Sequence, residues 1–142
     1  MENKDNKTIS QLISELENDT KQPIRFARKE AHIKAAEEIT KDEKVLFAFL
    51  AKRGNTQDYS VICLTNKRIV AVQSTITGMY LTYTILWKFI TGVEISGVSK
   101  VFTSANLKIH GIGMSLNLQK ISKNTIRIIE KNVLDIWMLE NK

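Results

Sequence analysis

A chain of 142 residues with 43% apolar and 7% aromatic side chains suits one globular domain, large enough to bury a core without disulfides or a structural metal. Its formal charge of +6 is unevenly spread, since residues 1–42 carry 8 basic and 9 acidic groups while residues 43–121 carry 9 against 3. Cys63 is the only cysteine, which excludes an internal disulfide, and the absence of about 18 uninterrupted apolar residues excludes a membrane-spanning helix.

Residues 1–7 are polar and of mixed charge, with no apolar stretch or small-residue cleavage site behind them, so no signal peptide is expected. The first element reads as a helix over about 8–18. Ile9, Leu12, Ile13 and Leu16 fall at i, i+3, i+4 and i+7, Thr8 and Gln11 can form a capping box, and Asn18-Asp19 looks like a stop. That narrow apolar stripe must be covered, either by the chain's own β domain or by a partner, a second copy of the chain included. Ile9, Leu12, Ile13 and Leu16 are therefore candidate partner-binding residues.

Pro23, the single proline, suits the first turn of a second helix running to about Ile39, because its fixed φ is already helical and its missing N–H is unpaired there. The cluster of basic residues between Lys21 and Lys34 reads as a solvated helix face, with a membrane surface or nucleic acid as the alternatives. His32 lies in this charged helix and His110 beside a glycine turn, and both read as solvated or partly packed side chains.

From Glu43 the periodicity shortens. Val45–Ala51, Tyr59–Leu64, Ile69–Val72, Met79–Trp87, Ile90–Ile95, Asn106–His110 and Met114–Leu118 are seven runs of strand-forming residues between turn signals. Asn66-Lys67 reads as a tight reversal in which Asn supplies a positive φ, and Gly111-Ile112-Gly113 as the turn of a last hairpin. After Gln119 the helical period returns over about 122–140, with Ser122 as cap and Ile126, Ile129, Val133, Ile136 and Trp137 as the stripe, widened by Ile128, Met138 and Leu139. Short local connections favour a meander, and a final helix closes the open end of a bent sheet. The expected fold is mainly β, α+β by content: a seven-stranded bent antiparallel sheet or barrel over 43–142, capped by a C-terminal helix and preceded by a helical extension over 1–42.

At this point the chain resembles the bacterial pleckstrin-homology-like domains, of the short stand-alone type found in Gram-positive bacteria and their phages. Glu43-Lys44-Val45-Leu46 is similar to the family's first strand with its preceding acidic residue. Leu64-Thr65-Asn66-Lys67-Arg68 follows its Leu-Thr-Asn/Asp-Lys-Arg hairpin, and Ile90-Thr91-Gly92-Val93 its Ile-Thr-x-Val strand start. The likeness covers about residues 43–139 and implies a scaffold that holds ligands on loops and edges.

Neither a phosphate-binding glycine loop, a nucleophile elbow, a metal-ligand spacing nor a paired acid/base site is present in the sequence. No enzyme activity, cofactor or metal is therefore expected, and Cys63 reads as a buried thiol. What remains is a basic set: Lys52, Arg53, Lys67, Arg68, Lys88, Lys100 and Lys108. The resemblance places Lys52-Arg53 in the loop where lipid-binding relatives gather cations, but Asp58–Leu64 lacks the basic residues of their second strand, so inositol-phosphate recognition is not implied. Lys52, Arg53, Lys67 and Arg68 are the candidate ligand-binding residues.

The function expected is a non-catalytic module binding a protein or peptide through a strand edge or the groove beside the C-terminal helix. The alternative is peripheral binding to anionic membrane, with nucleic acid a weaker third. A cytoplasmic location, or one peripheral to the membrane, goes with either.

Overall fold

The computed structural model describes residues 7–54, 58–97 and 104–140. In chain order its elements are α1 (Ile9–Thr20), α2 (Lys29–Ile39), β1 (Val45–Arg53), β2 (Tyr59–Thr65), β3 (Arg68–Ser74), β4 (Tyr80–Leu86), a 3-10 turn (Trp87–Phe89), β5 (Ile90–Ser96), β6 (Ser104–Gly111), β7 (Met114–Ser122) and α3 (Lys123–Glu140). The seven strands form one antiparallel sheet in the order β4-β3-β2-β1-β7-β6-β5. It is a curled half-barrel: β1 and β7 are the seam between two meanders, and β4 and β5 are its edges.

The seam is short. β1 pairs with β7 only at Lys52↔Gln119 and Arg53↔Leu118. Two residues of β7, Gln119 and Lys120, then stand opposite Asn106 alone, and Lys120 takes φ +64°, so a bulge turns β7 away from β1.

Because successive strand residues face opposite ways, β1, β2 and β3 contribute to two cores. Phe49, Ile62, Leu64, Ile69 and Ala71 face the concave side, where Leu107, Ile109, Leu116 and Leu118 of the second meander meet them. α3 closes this core with Ile126, Ile129, Val133 and Ile136. Ala48, Leu50, Val61, Cys63, Val70 and Val72 face outward under Ile9 and Ile13 of α1 and Ile33, Ala35 and Ala36 of α2. Burial on both faces is why β2 and β3 read as unbroken apolar runs.

Several local expectations need correction. α1 extends to Thr20, where Lys21 adopts the left-handed conformation (φ 56°) and its N–H bonds Glu17 O, while Thr8 and Gln11 do form the capping box. α2 begins at Lys29, not at Pro23. Residues 22–26 form no helix or strand, and Ile24 and Phe26, two apart, both pack on the outer core, a period that a helix cannot satisfy. Asn66 has no positive φ; the reversal is held by Thr65 Oγ1, which accepts the N–H groups of Lys67 and Arg68, both at 3.0 Å. Trp87 leaves β4 for the 3-10 turn. Ile128, Met138 and Leu139 are exposed, so the docked stripe of α3 is narrow.

Candidate functional site

The Thr65–Arg68 hairpin is the most polar-bonded part of the sheet. Thr65 Oγ1 donates to Glu43 Oε1 at 2.7 Å, and Trp87 Nε1 donates to Thr65 O at 2.7 Å. The Arg68 guanidinium grips both oxygens of Glu43 through Nε and Nη2, with Nη2 at 2.6 Å from Oε2; Nη2 also donates to Ile39 O at the end of α2, and Nη1 donates to Thr84 Oγ1. Burial by itself raises the Glu43 pKa, but the bonds from Arg68 and Thr65 and the charges of Arg68 and Lys67 outweigh it and hold the carboxyl below its usual range. Asn66 completes the cluster by pairing its N–H and its Oδ1 with the backbone of Lys44. Arg68, expected as a ligand cation, thus ties α2, β1, β3 and β4 together, while neighbouring Lys67 is exposed.

Lys52 and Arg53 stand at the other end of β1. Their register, Lys52↔Tyr59 against Val45↔Thr65, separates them from Lys67 and Arg68 by roughly 20 Å at about 3.3 Å per residue, so the four cations form no single patch. Nor do Lys52 and Arg53 share a face. Lys52 Nζ lies 5.4 Å above the Tyr59 ring on the helical side, whereas Arg53 Cζ lies 4.6 Å above Tyr83 on the concave side. Tyr83 in turn donates its hydroxyl to Ser115 O at 3.0 Å, linking β4 to β7 across the mouth of the half-barrel.

The same end carries a network that sequence reasoning missed. His32 is only 2% exposed; its Nδ1 accepts the Ser74 N–H at 3.0 Å, which leaves the proton on Nε2 to donate to Asp58 at 2.8 Å. Arg28 Nη2 reaches Ser74 O and Thr75 O, and Gln73 Nε2 reaches the carbonyls of Asp58 and Tyr59. The spacing of His32 to Ala35 and Ala36, at i+3 and i+4 on the buried face, was the available signal. Beyond this network the β3–β4 turn exposes Ile76 (89%) and Met79 (62%).

Of the candidate partner-binding residues, Ile9, Ile13 and Leu16 are buried against the chain's own sheet and Leu12 packs beside them. No free apolar stripe remains on α1 for self-association. Exposed apolar side chains lie elsewhere, among them Ile76 and Met79 of the β3–β4 turn, Tyr80 and Leu81 of β4 and Met138 and Leu139 of α3, while at the edge of β5 half-buried Val93 and Ile95 join the inner core together with Trp137 of α3. Among the described residues no group of His, Cys, Asp or Glu could hold a metal, and no helix is long and apolar enough to cross a membrane.

The family model described as "Bacterial PH domain" matches residues 39–135, from the end of α2 through most of α3. The chain belongs to the bacterial PH domain family. Solved structures agree in fold. The pleckstrin homology domain from Shewanella amazonensis SB2B is 16% identical with a TM-score of 0.55, the match covering 77% of this chain and 96% of that one. The C-terminal domain of an unknown protein from Leishmania infantum is 15% identical with a TM-score of 0.52, over 77% and 97%. A duf1696 family protein with a pleckstrin-homology domain from Shewanella loihica PV-4 is 20% identical with a TM-score of 0.51, over 79% and 94%. Among curated proteins no significant sequence match was found. The Glu43 and Thr65–Arg68 residues that carried the resemblance are, in this PH domain, a structural clamp.

Proposed function

We propose that this PH domain is a non-catalytic interaction module that takes an extended segment of a partner protein along the free edge of β5, in the groove beside α3. The observation that carries this reading is the coincidence of the two features: β5 is the last strand of the sheet, and α3 packs against it and β6. β5 contains no proline and one charge, Glu94, which pairs with His110 at 2.9 Å, so little on it opposes strand addition. Main-chain bonds along the edge give affinity, and the contact of alternate side chains with Val93, Ile95 and Trp137 gives specificity. β4 is equally open, but α3 is not packed along it. A photo-crosslinking residue at Glu94 is expected to capture a discrete partner in the host cell, one at Thr82 of β4 is not, and a Thr91→Lys/Ser96→Lys variant is expected to abolish capture. Equal yields from both positions, or none from Glu94, would refute the reading.

A second reading, docking on anionic membrane, is favoured by one specific observation. Exposed Ile76 and Met79 stand at the same end of the sheet as Lys52 and Arg53, so apolar anchors and cations share one end although the two cations lie on opposite faces. Sedimentation with phosphatidylserine vesicles at low salt should retain the protein, and Ile76→Asp/Met79→Asp should release it. Equal retention by neutral vesicles would end this reading.

A further inference from the structure

The 3-10 turn and the tip of the β6–β7 hairpin meet where β5 begins. Phe89 O accepts the Ile112 N–H at 2.9 Å. Gly111 makes the approach close, since a Cβ there would stand 3.1 Å from Phe89 O and 3.2 Å from Met114 Cγ. Three large apolar residues from two segments of chain are thereby neighbours, and all stay accessible, Ile112 at 66% and Phe89 and Met114 at 40% each. None of them belongs to either core.

Charge beside this patch is one-sided. Lys88 Nζ lies 5.3 Å above the Phe89 ring, which holds a cation at the rim. Lys67, whose carbonyl accepts the Trp87 N–H at 3.5 Å, adds an exposed cation on the adjoining hairpin. Asp58 and Glu94 are the only carboxylates between residues 44 and 122, and each is engaged by a histidine, His32 at 2.8 Å and His110 at 2.9 Å. An anionic partner is therefore attracted here without a competing acid of the sheet.

The main chain at the patch does not invite strand addition, because Phe89 O is bonded to Ile112 and Gly111 pairs with Met114 across the turn. A bilayer is also a poor occupant. Interfacial anchors reach ~5–10 Å into the lipid boundary, and only Ile112 stands proud while Phe89 and Met114 are set into the surface. What fits is a chain whose own backbone is satisfied and whose apolar side chains lie on a shallow bed, with Met114 adapting to their shape. We infer that the Phe89–Ile112–Met114 patch docks an amphipathic helix of a partner protein, with acidic residues beside its apolar stripe that meet Lys88 and Lys67. This surface lies past the start of β5 and is additional to the strand edge proposed above.

The test is selection on the intact protein from a displayed library of amphipathic helices whose positions flanking the apolar stripe vary among Asp, Glu, Ser, Lys and Arg. Binders are expected to be rich in Asp and Glu at those positions, to be helical when bound, and to shift the Phe89, Ile112 and Met114 amides. Ile112→Asp should weaken a selected peptide about tenfold or more, and Lys88→Glu about fivefold at low salt. Both side chains are exposed, so the thermal midpoint should stay nearly unchanged. The inference is overturned by the absence of binders, by basic or uncharged flanks, by an extended bound peptide, or by unchanged affinity in both variants. A binder lost with Thr91→Lys/Ser96→Lys but not with Ile112→Asp would sit on the β5 edge and overturn it too. Retention on phosphatidylserine vesicles that Ile112→Asp abolishes would assign the patch to lipid instead. Should either variant fail to fold, Ile112→Ser and Lys88→Gln provide the same comparison, with unchanged affinity in both overturning the inference.

Discussion

Removing the carboxylate of Glu43 is the sharpest test of what holds the half-barrel together. Glu43 and Arg68 have side-chain exposures of 10% and 22%, so their bidentate contact is mostly shielded from water. Glu43→Ala would leave the Arg68 guanidinium without its counter-charge and Thr65 Oγ1 with only the longer bond to Arg68 O, at 3.3 Å, as acceptor. Loss of one partner of a fully buried pair costs about 3–5 kcal/mol. Allowing for the exposure that remains, about 2–3 kcal/mol is expected. With unfolding entropy near ~2.1 cal/mol/K per residue, that lowers the melting temperature by about 7–10 °C for a chain of this length. The assay is urea unfolding of wild type, Glu43→Ala, Arg68→Met and the double variant, and the coupling energy should exceed about 1 kcal/mol. The pH dependence supplies the sign. The folded pKa lies below the ordinary 4.5, so the ionised pair's contribution is fully present above that value and disappears as pH falls through the lower folded pKa. The stability gap between wild type and Glu43→Gln should accordingly close on acidification below about 4.5. A coupling near zero, or a gap that persists at low pH, would refute the clamp.

Trp87→Phe keeps most of the buried ring but leaves Thr65 O without its indole donor, and should cost about 1–2 kcal/mol in the same assay. His32→Ala removes the acceptor of the Ser74 N–H and opens a void under α2; a loss of about 2–4 kcal/mol is expected, with the Ser74 amide exchanging faster than its neighbours in β3. Burial, first, and the nearby Glu43 charge push the Cys63 thiol pKa well up, so native protein should react with a thiol-specific disulfide reagent only as fast as it opens, and immediately in denaturant. Prompt labelling of native protein at neutral pH would contradict that burial. Gly111→Ala should destabilise by about 1 kcal/mol, since a Cβ there meets Phe89 O at 3.1 Å and Met114 Cγ at 3.2 Å; unchanged unfolding would show that the 3-10 turn yields freely.

What the sequence disclosed divides along the range of the interactions. The strands, the turn at Gly111–Gly113 and the α3 stripe depend on residues a few positions apart, and local periodicity revealed them. Ser122 and Thr125 show the limit, since they pair with each other through hydroxyls rather than display a plain cap. The irregular run at Ile24 and Phe26 was hidden because Pro23 suits either a first helical turn or a non-helical chain, and only the outer core decides between them. The candidate cations misled for a related reason. Arg68 is identifiable as a clamp only through Glu43, 25 positions earlier, and β1–β2 register is what brings the two together. The opposition of Lys52 and Arg53 was available from strand alternation, but which face each takes depends on where α1 and α2 dock.

The outer core also bears on how relatives should be compared. The match to the family begins at residue 39, the last residue of α2, and so leaves out nearly all of both N-terminal helices, yet Val61, Cys63, Val70 and Val72 are buried only because α1 and α2 cover them. The stretch that homology recognises is therefore shorter than the stretch whose apolar surface is satisfied. A relative that starts at β1 must carry polar side chains at those four positions or cover them with another polypeptide, and the alternation pattern of β2 and β3 alone should tell the two kinds of protein apart.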